Sequence, residues 1–239
     1  MRGLLLSMCG ALLAGVAVTA AASADQSRTI DRQIPVQSIR EVRLTGRNGN
    51  IRVKGTDTTA IRLHAIVSVG DKDSLDDASV EVTRVGSTLE IQDRCPKKSY
   101  VFFSTSSCGV EYALEVPKTM PLNLKDANGN NTVANVRGPI TIKTSNGDVT
   151  VSDAGGTLDL ESSRGNVDAT LVGGWRGDQV SLRTSLGEVS LRLPAGFRGR
   201  LDAKTAVGEI VNGTKLNSSG TGTLLKLRSS LGNVNVSYR

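Results

Sequence analysis

The side chains that could do chemistry are few in this sequence and stand apart from one another. The chain has a single histidine, His64, in the stretch IRLHAIV. A Ser-His-Asp mechanism would have to use it, yet alternation along a strand puts it on the same outward face as Arg62. We therefore interpret His64 as a surface residue of a strand.

Carboxylates do not form a recognisable catalytic pair either. An enzyme that cleaves acidic polysaccharides on a β-helix needs two carboxylates at a suitable separation. The available residues each occur alone in a turn or strand: Asp153, Asp159, Asp168 and Asp178. The sequence favours a noncatalytic protein with no catalytic residue, metal or cofactor, and a polysaccharide-acting β-helix enzyme remains the alternative.

The first 24 residues predict export. A charged start precedes the apolar run LLLSMCGALLAGVAVTAA, and ASA at Ala22–Ala24 is typical of a signal-peptide cleavage site. We expect removal of residues 1–24 and one domain over 25–239, in the periplasm, at the cell surface or secreted. The apolar run is also long enough for an uncleaved anchor. No transmembrane segment is expected after it, and the net charge of +6 is too small to predict a nucleic-acid partner.

Two cysteines remain beyond the leader, Cys95 and Cys108. In an oxidising compartment such a pair favours a disulfide. A metal site is disfavoured, because two thiols and the distant His64 supply too few ligands.

Short apolar-polar-apolar triplets, such as ITI at 140–142 and LDL at 158–160, predict strands throughout the chain. A nine-residue phrase recurs among them, for example KTSNGDVTV at 143–151. Its glycine, which is followed by Asn, Asp or Glu, recurs at Gly49, Gly129, Gly147, Gly165, Gly187, Gly208 and Gly232.

Copies spaced by about 18 to 24 residues cannot each enclose a core, but stacked copies can. We therefore predict an all-β, single-stranded parallel β-solenoid. The regular repeats span 117–239, and an irregular part, 25–116, carries an insertion at 93–112. Each glycine would supply the positive φ of a corner, while Thr144 and Ser145 satisfy backbone groups of the turn.

The phrase Thr/Ser-Ser-x-Gly-Asp/Asn/Glu-Val/Ile-x-Val resembles the bacterial putative-adhesin family of β-strand-repeat proteins. The similarity is strongest over Pro117–Arg239, is visible again in LTGRNGNIRV, and breaks between His64 and Tyr112. It implies an exported, adhesin-like β-helical protein of the cell envelope, and it brings no catalytic residues.

One outward position, five residues before the corner Asn, Asp or Glu, is basic in five of the six repeats within 117–239, with Glu161 the exception: Lys125, Lys143, Arg183, Lys204 and Arg228. Stacking would place this basic column beside a polar column of Asn130, Asp148, Asn166, Glu188, Glu209 and Asn233. The favoured interpretation is a solvated face on which the two columns neutralise each other. The alternative is a linear array that binds an anionic envelope polysaccharide.

The insertion concentrates aromatic and basic residues between the cysteines: Lys97, Lys98, Tyr100, Phe102 and Phe103. A disulfide-stapled loop of this kind could recognise a partner, or it could be a lid on the solenoid, which we favour. Trp175 lies in a glycine-rich loop, where it could stack on a sugar or plug the loop.

The final repeat, LGNVNVSYR, reaches the end of the sequence without an obvious capping element. An uncapped parallel coil exposes backbone donors and acceptors. A third function is therefore an assembly component that pairs with another envelope protein through the ends of its solenoid, and the oligomeric state is left open.

Overall fold

The computed structural model describes residues 26–70, 74–95, 108–219 and 221–239, which form strands and a single short 3-10 helix at Leu75–Asp77. The strands are β1 (Gln26–Pro35), β2 (Glu41–Thr45), β3 (Ile51–Thr56), β4 (Ala60–Val69), β5 (Ser79–Val85), β6 (Thr88–Arg94), β7 (Gly109–Pro117), β8 (Leu122–Asn128), β9 (Asn131–Ala134), β10 (Ile140–Asn146), β11 (Val149–Ala154), β12 (Leu158–Arg164), β13 (Val167–Leu171), β14 (Gln179–Leu186), β15 (Val189–Leu193), β16 (Gly199–Val207), β17 (Ile210–Asn212), β18 (Thr223–Leu231) and β19 (Val234–Tyr238).

Two sheets enclose the core. The ten-stranded sheet runs β1-β4-β7-β3-β9-β11-β13-β15-β19-β17, and the nine-stranded sheet runs β16-β18-β14-β12-β10-β8-β2-β6-β5. A regular coil places one strand in the nine-stranded sheet, turns at a glycine corner, and places the next strand in the ten-stranded sheet. Neighbouring coils pair in parallel, with Ile140 opposite Leu158 and Leu158 opposite Val180. The predicted parallel β-solenoid is confirmed.

Inward side chains of successive coils stack in columns. One column contains Val149, Val167, Val189 and Val234, and each of these side chains is fully buried. The facing strands contribute a second buried column, Leu124, Ile142, Leu160, Leu182 and Leu227. Because burying one such side chain stabilises a fold by about 1.5 to 3 kcal/mol, these columns account for the alternation of apolar and polar residues in every repeat.

The stacking order departs from the chain order at both ends. The first coil, β2 and β3, lies between β8–β9 on one side and β6–β7 on the other. The last coil, β18 and β19, lies between β14–β15 and β16–β17. The final repeat therefore does not lie at the end of the stack, since β16 and β17 occupy that position. The final coil is instead paired along both of its edges.

The two ends of the stack are covered differently. At the N-terminal end, β4 pairs antiparallel with β1 and β7, and β5 pairs antiparallel with β6. This is the region in which the sequence departs from the repeat. At the other end, the loop that joins β17 to β18 provides a partial cap, because Leu216 packs against the core and Leu201 N–H donates to the carbonyl of Asn217 at 2.9 Å.

Candidate functional site

The corners of the solenoid are built from glycine for two separate reasons. All seven predicted corner glycines have φ between +124° and +155°. In addition, a Cβ on Gly147 would lie 2.1 Å from the carbonyl oxygen of Gly129 in the next coil. Glycine is thus required by the turn itself and by the close approach of stacked corners.

Hydroxyl groups satisfy the carbonyls that these corners leave unpaired. Ser162 Oγ donates to Gly147 O at 2.8 Å, and Thr184 Oγ1 donates to Gly165 O at 2.7 Å. Ser229 and Thr205 repeat the contact with the corners of their own neighbours. These four hydroxyls therefore join two coils together, whereas Thr144 Oγ1 donates within its own turn, to Asn146 O at 3.4 Å.

The polar column has a structural role that the sequence did not predict. Asn130 Oδ1 accepts from Asp148 N–H at 2.9 Å, and Asp148 Oδ1 accepts from Asn166 N–H at 2.7 Å. Among the described residues no ion pair joins this column to the basic column. The carboxylate and amide oxygens of the polar column instead bond the backbone of the next corner.

The basic column lies on the outer face of the nine-stranded sheet. The register places its members opposite one another on neighbouring strands, in the spatial order Lys125, Lys143, Glu161, Arg183, Arg228 and Lys204. Arg228 precedes Lys204 in space because the final coil is inserted before the end coil. Adjacent members lie one strand apart, about 4.8 Å, and form a continuous row.

Acidic neighbours contact part of the basic column. Lys143 Nζ lies 3.6 Å from Glu161 Oε2, and Arg183 Nη1 lies 3.4 Å from Asp159 Oδ1. Arg228 bonds Asp202 and holds the pKa of that carboxyl below its usual range. Half-exposed pairs of this kind contribute only about 0 to 1 kcal/mol each.

The column nevertheless keeps a positive excess. In the described part of the chain, neither Lys125 nor Lys204 forms an ion pair, and both side chains are exposed. These two lysines stand near opposite ends of the row. A polymer with repeated negative charges that lies along the row would therefore meet an unpaired lysine at each end.

The predicted disulfide between Cys95 and Cys108 is confirmed, with 5.7 Å between the two Cα atoms. It lies at the corner between β6 and β7, where the other coils have a glycine turn. Arg47 Nη2 donates to Cys95 O and Asn48 Nδ2 donates to Cys108 O, each at 3.1 Å. The disulfide thus restores a corner that the insertion would otherwise open, and the corner of the first coil stacks on it.

Of the candidate recognition residues, only Trp175 is described. The residues of the disulfide-stapled loop lie outside the described part of the chain: Lys97, Lys98, Tyr100, Phe102 and Phe103. Trp175 is partly buried, and its Nε1–H donates to Gly156 O at 2.7 Å. Its ring centroid lies 5.8 Å from that of Phe197. These contacts make Trp175 a plug for its loop rather than an open stacking surface.

The model of the Toastrack DUF4097 family matches residues 39–239. The chain belongs to the Toastrack DUF4097 family. This membership confirms the resemblance that we inferred from the repeated phrase. No curated protein matches the chain.

The chain is similar to several solved structures. A putative cell adhesion protein from Clostridium sporogenes is 12% identical, with a TM-score of 0.56, and the match covers 90% of this chain and 100% of that one. A putative adhesin from Bacteroides fragilis is 14% identical, with a TM-score of 0.41 and coverage of 87% and 97%. A putative lipid binding protein from Parabacteroides distasonis is 15% identical, with a TM-score of 0.38 and coverage of 88% and 96%.

One Toastrack repeat carries a buried acid that sequence reasoning missed. Asp126 pairs in register with Thr144, so a carboxyl occupies the hydroxyl position of the other repeats. The residue is 7% exposed, its carboxyl oxygens have no hydrogen-bond partner among the described residues, and burial raises the pKa of the carboxyl to about 6. The comparison of LKDANGN with IKTSNGD contained the signal, because Asp replaces Thr within an otherwise similar phrase.

The described residues contain no group of three or more His, Cys, Asp or Glu side chains placed to hold a metal ion. The same part of the Toastrack chain contains no helix with the length and apolar character needed to span a bilayer.

Proposed function

We propose that this Toastrack protein is a noncatalytic, exported protein of the cell envelope with an adhesin-like role, and that its basic column binds an anionic envelope polysaccharide. The observation that carries the proposal is the register, which stacks five cations on neighbouring strands with one acidic interruption at Glu161. A polymer with repeated charges would engage several of them at once, which adds affinity without a new kind of contact.

Export is part of the same proposal. The charged start, apolar run and small residues at Ala22–Ala24 support removal of residues 1–24 and a mature domain over 25–239. A disulfide in the folded chain is consistent with an oxidising compartment. We place the mature protein in the periplasm, at the cell surface or outside the cell.

The surroundings of the acidic residues support a noncatalytic role. Asp153 Oδ1 lies 2.8 Å from Arg239 Nη1, and Asp159 contacts Arg183. Asp168 lies on the outer face of β13, and Asp178 is exposed in the loop before β14. Two of the four candidate carboxylates are therefore held by arginines in surface ion pairs.

The proposal is tested by reversing the charge of the column. The triple variant Lys125→Glu, Lys143→Glu and Lys204→Glu changes three cations that are largely free of structural contacts. We expect the mature protein to bind an acidic polysaccharide such as polygalacturonate, with an affinity that falls as salt screens the charges, and the variant to bind at least tenfold more weakly. Biolayer interferometry at several salt concentrations measures both effects.

A matched control separates the column from net charge. The variant Arg192→Glu, Arg198→Glu and Lys215→Glu makes the same change of charge at exposed positions outside the column. It should keep at least half of the wild-type affinity. An equal loss in both triple variants, or no binding by the wild type, would contradict polysaccharide recognition by the column.

A second candidate function is assembly through the open part of the solenoid end. Ile210 belongs to the buried valine column but is 46% exposed, whereas Val234, its register partner, is fully buried. Val207 and Val211 are also exposed beside it. Pairing of this end with a second copy would bury all three residues.

This candidate predicts a dimer that depends on Ile210. Light scattering of the mature protein over a range of concentrations should show dimer formation, and Ile210→Lys should remain monomeric. Val85→Lys, at an exposed valine of the opposite end strand β5, should dimerise like the wild type. A wild type that stays monomeric at all concentrations would rule out this mode of assembly.

A further inference from the structure

A groove crosses the outer face of the ten-stranded sheet, where the antiparallel strands meet the first coil. Its volume is about 880 Å³, and strands β1, β4, β7, β3 and β9 line it. The basic column lies on the other sheet, so the groove is a separate surface. Sequence reasoning placed His64 and Arg62 outward correctly but had no means of bringing these five strands together.

The floor of the groove is made of small residues. Ala113 lies between His64 on β4 and Arg52 on β3, which are its two register partners. Ala134 lies beside Lys54 on the next strand. Because Ala113 lies between two long side chains, those side chains form walls around a low, apolar floor.

Cations dominate one part of these walls. Arg52, Lys54 and Arg62 all line the groove. Glu115 pairs with Arg62 at 2.8 Å, but Lys54 has no ion-pair partner among the described residues. Arg52 contacts Glu111 only at 3.4 Å, and its side chain is 64% exposed. Arg52 and Lys54 are therefore available to a ligand anion.

Other hydrogen-bonding groups stand near these cations. His64 Nδ1 lies 2.8 Å from Asp31 Oδ1. When Nδ1–H donates to Asp31, Nε2 of the neutral ring is left as an acceptor for a ligand hydroxyl. Gln33 and Thr132 also line the groove and supply an amide and a hydroxyl.

We propose that the groove binds one acidic sugar unit, a sugar ring that carries a carboxylate or a phosphate. The anionic group contacts Arg52 and Lys54, and the apolar face of the ring covers Ala113. The ring hydroxyls bond to His64 Nε2, Gln33 and Thr132. The choice of ligand class rests on the proposed function, whereas the site itself rests on the geometry of the groove, which lies on the other sheet from the basic column.

The single histidine provides a direct test. Its imidazole signals in NMR spectra of the mature protein should shift on titration with trigalacturonate or with glucose 6-phosphate, and should stay unchanged with neutral maltotriose. The two acidic probes distinguish a carboxylate from a phosphate as the preferred group. Isothermal titration calorimetry gives the corresponding affinities.

Two variants test the site itself. Ala113→Leu places a larger side chain on the floor of the groove and should weaken binding of the acidic probe at least tenfold. Lys54→Ser removes the unpaired cation and should weaken binding by a similar factor. The triple variant of the basic column should bind the short probe as the wild type does. Thermal unfolding of each variant verifies that the protein remains folded.

The outcomes distinguish the two proposals. If the wild type binds the polymer through the basic column but neither acidic probe shifts the His64 signals, the groove proposal is overturned and the proposed function stands. If the short probe binds equally well to wild type, Ala113→Leu and Lys54→Ser, the groove is not its site. If the short probe binds in the groove while the polymer binds the triple variant of the basic column as well as the wild type, the groove proposal stands and the proposed function is overturned.

Discussion

Replacing Gly147 with valine should destabilise the protein by about 4 kcal/mol or more. The φ of +133° at this position disfavours any side chain, and a Cβ would lie 2.1 Å from a backbone carbonyl oxygen that cannot move without shifting the next coil. Urea unfolding, followed by the fluorescence of Trp175, measures the change in the free energy of unfolding.

Two control variants separate the causes of this effect. Gly196→Ala places a side chain on a backbone that already has a left-handed φ of +74°, where the Cβ would meet no atom within 4 Å. It should lower the free energy of unfolding by about 1 to 2 kcal/mol. Asp148→Ala removes the acceptor for Asn166 N–H and should cost about 1 kcal/mol. If Gly147→Val lowers the free energy of unfolding no more than these controls do, the requirement for glycine at this corner does not come from the close approach of stacked coils.

Local chemistry explains which features the sequence could predict. Alternation identifies strands, and a glycine followed by Asn or Asp identifies a corner, because both signals depend on residues within one repeat. The disulfide was predictable in the same way from Cys95 and Cys108. The role of Asp148 was not, because its partner is a backbone amide 18 residues away in the neighbouring coil.

Topology explains the remaining differences. A repeated phrase gives no information about the order in which its copies stack, so the insertion of β18 and β19 before β16 and β17 could not be read from the sequence. The groove likewise depends on antiparallel pairing of β4 with β1 and β7, outside the repeats. The residues of the basic column could be predicted, because each lies at the same position of its repeat.

The buried Asp126 leads to the second large effect, because a substitution there should stabilise the protein. Threonine occupies this position in three other coils, at Thr144, Thr184 and Thr205, and both Thr184 and Thr205 donate to the corner carbonyl of a neighbouring coil. A threonine at 126 would remove a buried acid and offer the same contact to Gly49. We expect Asp126→Thr to raise the free energy of unfolding by about 2 to 3 kcal/mol at pH 7.5.

The pH dependence gives the sharper measurement. Burial raises the pKa of Asp126 from 3.8 to about 6, and the negative charge of Asp93 acts in the same direction. Between these two pH values the folded protein holds a proton that the unfolded chain has released. The free energy of unfolding therefore falls as pH rises from about 4 to about 6, and the loss is complete above that.

Asp126→Thr should lack this pH-dependent loss of stability. The gain in stability from the substitution, measured in urea, should therefore be larger at pH 7.5 than at pH 4.5 by about 2 kcal/mol. All other carboxyl groups are present in both proteins, so the comparison isolates the change at position 126 together with its coupling to Asp93. A gain that is the same at both pH values would mean that Asp126 titrates normally in the folded protein, and that a charged carboxylate is accommodated at this corner.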